Sequence, residues 1–130
     1  MLLQVDWCHE CTFVQDRRSP ARARAFVVHH LSEHRLHDLV EPVRLIASEL
    51  ATNAVVHART AFTVTLSQRD NVVTLGVEDE QPAQALTVPV WPDLLGDDGR
   101  GLKIVDQVSD KWGVSTDPRG GKLVWASFAC

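Results

Sequence analysis

The chain of 130 residues has no tyrosine, a single methionine and only three cysteines. An odd, small cysteine count excludes the disulfide framework of a small secreted domain. No apolar run approaches the roughly 18 residues that a membrane helix needs, so no membrane partner is expected. The start, Met1-Leu2-Leu3-Gln4-Val5-Asp6, lacks a basic segment, and Asp6 interrupts its apolar beginning. A signal peptide is therefore not expected, and the expected location is cytoplasmic. Basic charge is not in excess: 13 Lys and Arg stand against 17 Asp and Glu, a net charge of −4. That balance argues against direct nucleic-acid binding. Four tryptophans without a tyrosine do not make a base-stacking surface either and read as core or lid packing. There is no internal repeat and no low-complexity segment.

What is present is the composition of one globular domain over 1–130, 45% hydrophobic and 23% charged. A strand is expected within the first 15 residues, at 7–15. Ser19 followed by Pro20 predicts a capped helix over about 19–33. A second helix is expected over 37–58, with Asp38 as its cap and Pro42 in its first turn. The period then changes to two. Phe62, Val64 and Leu66 alternate with threonine and serine, and 72–77 is a second strand, so 61–79 predicts an antiparallel hairpin. Residues 80–101 are too dense in proline and glycine for a regular element, and a loop of that length in a compact domain is usually functional or disordered. A short helix over 102–108 and strands at 111–116 and 122–128 follow. The order predicts an α/β fold in two layers: a mixed, mostly antiparallel sheet with helices packed on one face.

Three places carry chemistry. Glu49, Asn53 and His57 are spaced by four and would stack along one helix face. A carboxamide oxygen can ligate Mg²⁺, and a carboxylate one turn away can take a proton from a hydroxyl. The polar stripe of an amphipathic helix gives the same spacing. Gly99-Arg100-Gly101-Leu102 opens a helix, where glycines and free N–H groups can approach a phosphate. A flexible loop ending in a helix explains that segment equally well. It is neither a Walker A loop nor the dinucleotide fingerprint. Asp79, where a strand runs out, could accept the amino hydrogen of adenine; alone it also reads as a turn residue.

Taken in order, these segments resemble the histidine-kinase-like ATPases, the GHKL superfamily. Residues 45–58, LIASELATNAVVHA, resemble its N box. Val77-Glu78-Asp79-Glu80-Gln81-Pro82 resembles its first glycine box, and Gly99-Arg100-Gly101-Leu102-Lys103-Ile104-Val105 its second. Gly121-Lys122-Leu123-Val124-Trp125-Ala126 resembles the closing strand. The small size is most similar to the anti-sigma-factor serine kinases. The resemblance implies a Bergerat-type fold binding ATP and Mg²⁺, with Asn53 as Mg²⁺ ligand, Glu49 as general base and Asp79 on the adenine. It also assigns His57, Gly99, Arg100, Gly101 and Leu102 to the nucleotide and 83–98 to a lid. The implied activity is protein-serine kinase, and the implied partners are a sigma factor, an anti-sigma-factor antagonist and a second copy of the chain. The sequence departs from the first glycine box, because no glycine follows Asp79. That departure keeps open a second expectation, a nucleotide-responsive binding module of the same fold without phosphoryl transfer.

Two features lie outside this pattern. Cys8-His9-Glu10-Cys11, with His29, His30, His34 and His37 downstream, has zinc-ligand spacing, although the histidines match a helix face as well. Arg17, Arg18, Arg22 and Arg24 read as a solvated helix start or as a surface for an acidic partner.

Overall fold

The computed structural model describes residues 6–80, 100–116 and 121–130, and of residues 100–102 only the backbone. The chain runs β1 (Trp7–Phe13), α1 (Ser19–Glu33), a 3₁₀ turn (His37–Leu39), α2 (Val40–Asn53), a π turn (Ala54–Ala58), β2 (Phe62–Arg69), β3 (Val72–Asp79), α3 (Arg100–Val108), β4 (Lys111–Thr116) and β5 (Lys122–Ala129). The five strands form one sheet in the order β1-β2-β3-β5-β4. Every described pairing is antiparallel.

Alternation along the strands decides which face is covered. Phe62 lies opposite Asp79, Val64 and Leu66 lie in register with Val77 and Leu75 of β3, and these two with Val124 and Ala126 of β5. All are buried. The helices supply the other half of the core through Ala23, Val27 and Leu31 of α1 and Val43, Ile46, Ala47, Leu50 and Ala51 of α2. The α2 set recurs every three to four residues, the stripe by which a helix lies on a sheet. On the open face Trp125 lies across Gly113, where an added Cβ would come within 2.7 Å of the indole. The β2–β3 hairpin turns on Asp70 and Asn71, both at positive φ (51° and 66°), as a two-residue turn with the twist of its strands requires.

The helix ends differ from expectation in instructive ways. Ser19 is the first helical residue of α1 and not its cap; Arg18 holds that position without a side-chain cap. The buried Ser19 hydroxyl instead donates to the Val14 carbonyl at 2.7 Å. Asp16 serves the turn, accepting the Arg18 N–H at 2.7 Å. Asp38 does not cap α2 either. It lies in the 3₁₀ turn, and Leu39 precedes α2 with no side-chain cap. At the end of α1, Leu36 N–H bonds the Leu31 carbonyl and Arg35 N–H the Ser32 carbonyl, a Schellman closure with Arg35 at φ 59°.

Candidate functional site

The expected second helix is a 3₁₀ turn, an α-helix and a π turn in succession. Glu49 and Asn53 keep the one-turn spacing of an α-helix. The π turn begins directly after Asn53, and His57 within it lies exposed. Arg59, at φ 58°, ends the turn, and Thr60 N–H closes it on the Ala54 carbonyl at 3.2 Å. Gln15, from the β1–α1 connection, donates to the Val55 carbonyl at 3.3 Å. Wide turns of this kind are frequent at functional sites.

Thr60 ties this helix end to the sheet. Its hydroxyl donates to the Ala61 carbonyl at 2.8 Å and accepts the N–H of Glu80 at 3.1 Å. The end of α2 and the end of β3, far apart in sequence, are thereby joined beside Asp79. A shallow cavity of about 300 Å³ opens there, lined by Ala61, Phe62, Thr63, Asp79, Glu80 and Gly121.

Glu49 is half-buried and makes no hydrogen bond or ion pair with the described residues. Asn53 is also half-buried, and its amide nitrogen is fully enclosed without a hydrogen-bond partner. An orphaned buried donor costs on the order of 1–3 kcal/mol. A carboxamide turned about its last bond offers its oxygen to the same space, so Asn53 suits a cation ligand or a phosphate contact.

Asp79 is not a waiting carboxylate. It is 5% exposed and faces Lys122, also 5% exposed, across the β3–β5 pair. Lys122 Nζ lies 3.4 Å from Asp79 Oδ2. An adenine amino group would share Asp79 with an ammonium already in place. Lys122, Thr60 and Gln15 are the residues that sequence reasoning missed. Lys122 had a signal: it shares inward parity with Val124, Ala126 and Phe128, and a lysine at such a position needs an acid opposite.

Arg100, Gly101 and Leu102 form the first turn of α3, as the phosphate-loop reading requires of the backbone. Gly99 and the expected lid, 83–98, lie outside the described residues. The zinc spacing at Cys8 and Cys11 does not survive the fold. In a strand, residues three apart point to opposite faces: Cys8 pairs with Ser67 on the open face and Cys11 with Val64 on the covered one. Of the arginines, Arg18 pairs with Asp16 at 3.3 Å and Arg24 donates to Ser48 of α2 at 2.9 Å, while Arg17 and Arg22 are exposed. A larger groove of about 600 Å³, lined by Arg24, Pro42, Arg44, Leu45, Ser48 and Val108, holds none of the expected site residues. No helix among the described residues is long and apolar enough to cross a membrane.

No curated protein matches the chain. Among solved structures it is similar to the RsbU and RsbW domains of Rv1364c from Mycobacterium tuberculosis, with a TM-score of 0.70 at 16% identity. That match covers 94% of this chain and 32% of the other, so this chain spans about a third of its length. At such identity the likeness is one of fold. The family model for the histidine kinase-like ATPase domain matches residues 13–128, from the last residue of β1 into β5. The chain belongs to the histidine kinase-like ATPase domain family.

Proposed function

We propose that this chain is an ATP-dependent protein-serine kinase that also binds a sigma factor and acts on an anti-sigma-factor antagonist. The observation that carries the reading is the enclosed, unbonded amide of Asn53 one turn beyond Glu49. A purely structural polar stripe would leave no such orphan. In this reading Asn53 holds Mg²⁺ and Glu49 accepts the proton of the attacking serine hydroxyl. Asp79, shared with Lys122, meets the adenine edge, and His57, Gly99, Arg100, Gly101 and Leu102 surround the phosphates. When bound, Mg·ATP supplies the transferable phosphoryl group and the charge neutralisation around it. The chain acts as one domain over 1–130, with 83–98 as a lid, in the cytoplasm, and pairs as a homodimer. The RsbW domain named in the similar structure supports the anti-sigma part of the reading through fold alone.

A second reading has an observation of its own. Lys122 already occupies Asp79, and no glycine follows it, which favours a nucleotide-responsive switch without transfer.

One experiment separates the two. The chain is incubated with Mg²⁺, labelled ATP and a serine-bearing antagonist, and nucleotide affinity is measured in parallel by calorimetry. A kinase transfers label, and Glu49→Gln cuts transfer by about 10²–10⁴-fold with little change in affinity. Mg²⁺-dependent binding without transfer leaves the switch. Absence of nucleotide binding removes both readings.

A further inference from the structure

The first strand, the first helix and the residue that follows it, His34, gather five of the chain's histidine and tryptophan rings into one cluster. Trp7 stacks on His34 with ring centres 3.9 Å apart, and His9 stacks on His30 at 3.8 Å. His9 Nε2 and His34 Nε2 lie 3.0 Å apart as a hydrogen-bonded pair. His29 meets His30 edge-on at 4.9 Å. The nucleotide site uses none of these residues.

On the outer side of this cluster three ligand-type atoms converge. Glu33 Oε1 lies 3.1 Å from His29 Nε2 and 3.5 Å from His30 Nδ1. The donor atoms of His29, His30 and Glu33 all fall within 4.8 Å of one another. Ligands bound at about 2.0–2.2 Å in a tetrahedral shell sit roughly 3.3 Å apart, close to the two spacings from Glu33. His30 Nδ1 is buried and has no hydrogen-bond partner. Its ring is held in place between the stacked His9 and the edge of Phe26, whose centre is 4.7 Å away. Glu33 is the last residue of α1, where the partial negative charge of a helix end favours a cation. His29 and Glu33 are mostly exposed, which leaves an entry path and an open coordination position.

We propose that His29, His30 and Glu33 bind one first-row transition-metal ion of the Zn²⁺ type, with the remaining position open to water or to a ligand from outside the chain. The donor set, two imidazoles and one carboxylate, suits Zn²⁺ and disfavours Mg²⁺ or Ca²⁺, which take oxygen ligands. The site is separate from the Mg²⁺ site proposed at Asn53 and does not depend on it.

The test uses the untagged full chain with Cys8→Ser and Cys130→Ser, which removes the exposed thiols. ZnCl₂ is titrated calorimetrically at pH 7.5, and CoCl₂ is followed by its visible absorption. One saturable ion per chain is expected, with a Zn²⁺-dependent rise in melting temperature. Glu33→Gln and His29→Gln, both at exposed positions, should each weaken binding at least about 10–100-fold. His37→Gln, outside the cluster, should bind as the parent does. Saturation only at millimolar Zn²⁺, or undiminished affinity in Glu33→Gln, overturns the proposal. So does loss of binding on His9→Gln with retention in His29→Gln, which would move the ion to the His9–His34 pair.

Discussion

Replacing Lys122 with methionine removes the ammonium from beside Asp79 while keeping an unbranched side chain of similar length. At 3.4 Å the two charges attract by about 5 kcal/mol for an effective dielectric of roughly 20. Each side chain is only 6% exposed, so water screens little and both ions have already lost most of their hydration. Most of the attraction therefore offsets desolvation, and the net worth of the pair is small. The single replacement is costly for a different reason: it removes the opposite charge from beside a buried carboxylate, a loss of about 3–5 kcal/mol. With a denaturant slope near ~2 kcal/mol per molar for a domain of this size, the urea midpoint should fall by roughly 2 M. Asp79→Leu with Lys122→Met removes both charges and should return stability close to that of the parent, since apolar replacement of a buried pair is often neutral or stabilising. Urea unfolding followed by far-UV circular dichroism, as a double-mutant cycle, reads the coupling directly. A Lys122→Met chain within about 1 kcal/mol of the parent would refute the reasoning. A double variant no more stable than the single one would do the same.

Arg35 closes α1 at φ 59°, a region costly for any side chain, so Arg35→Gly should raise stability by roughly 0.5–1 kcal/mol in thermal melts despite the added chain entropy. Gly113→Ala places a methyl within 2.7 Å of the Trp125 indole and should cost about 1–3 kcal/mol, with a change in tryptophan emission; an unchanged melting temperature would show that the indole moves aside freely. His30 and His34 are both held below the ordinary histidine range, chiefly by burial. Below pH ~6.5 the unfolded chain then binds more protons than the folded one, so stability should fall as pH drops from 6.5 towards their lowered values. His30→Gln with His34→Gln should flatten that part of the stability–pH curve, and an undiminished slope would assign it to other groups.

Much of the sheet was legible because its pattern is local. Phe62, Val64 and Leu66 alternate within one strand, and the period of two needs no knowledge of the partner. The extents of α1 and of the β2–β3 hairpin follow for the same reason. Helix ends were less legible, because a hydroxyl such as that of Ser19 goes to whichever orphan acceptor lies nearest in space, here the Val14 carbonyl. The π turn after Asn53 was invisible: residues 54–58 carry no breaker, and the turn is held by Gln15 from another segment and closed by Thr60 just beyond it. The pairing of Asp79 with Lys122 was half legible. Parity placed both side chains inward, but the register that sets them opposite each other belongs to two strands separated by α3 and β4.

That register has a consequence for how freely this chain can change. β3 and β5 are direct neighbours, yet α3 and the edge strand β4 lie between Asp79 and Lys122 in the chain. The two residues form the stem of one long excursion, which carries α3 and β4 as cargo. Closing a loop costs an entropy that grows only with the logarithm of its length, about 0.6 kcal/mol for each doubling. Once the stem is sealed, lengthening the excursion outside α3 and β4 barely taxes the sheet. The part of the molecule that would meet a nucleotide or a partner can thus be rebuilt by insertion and deletion, while the clasp at its base stays under the strictest constraint.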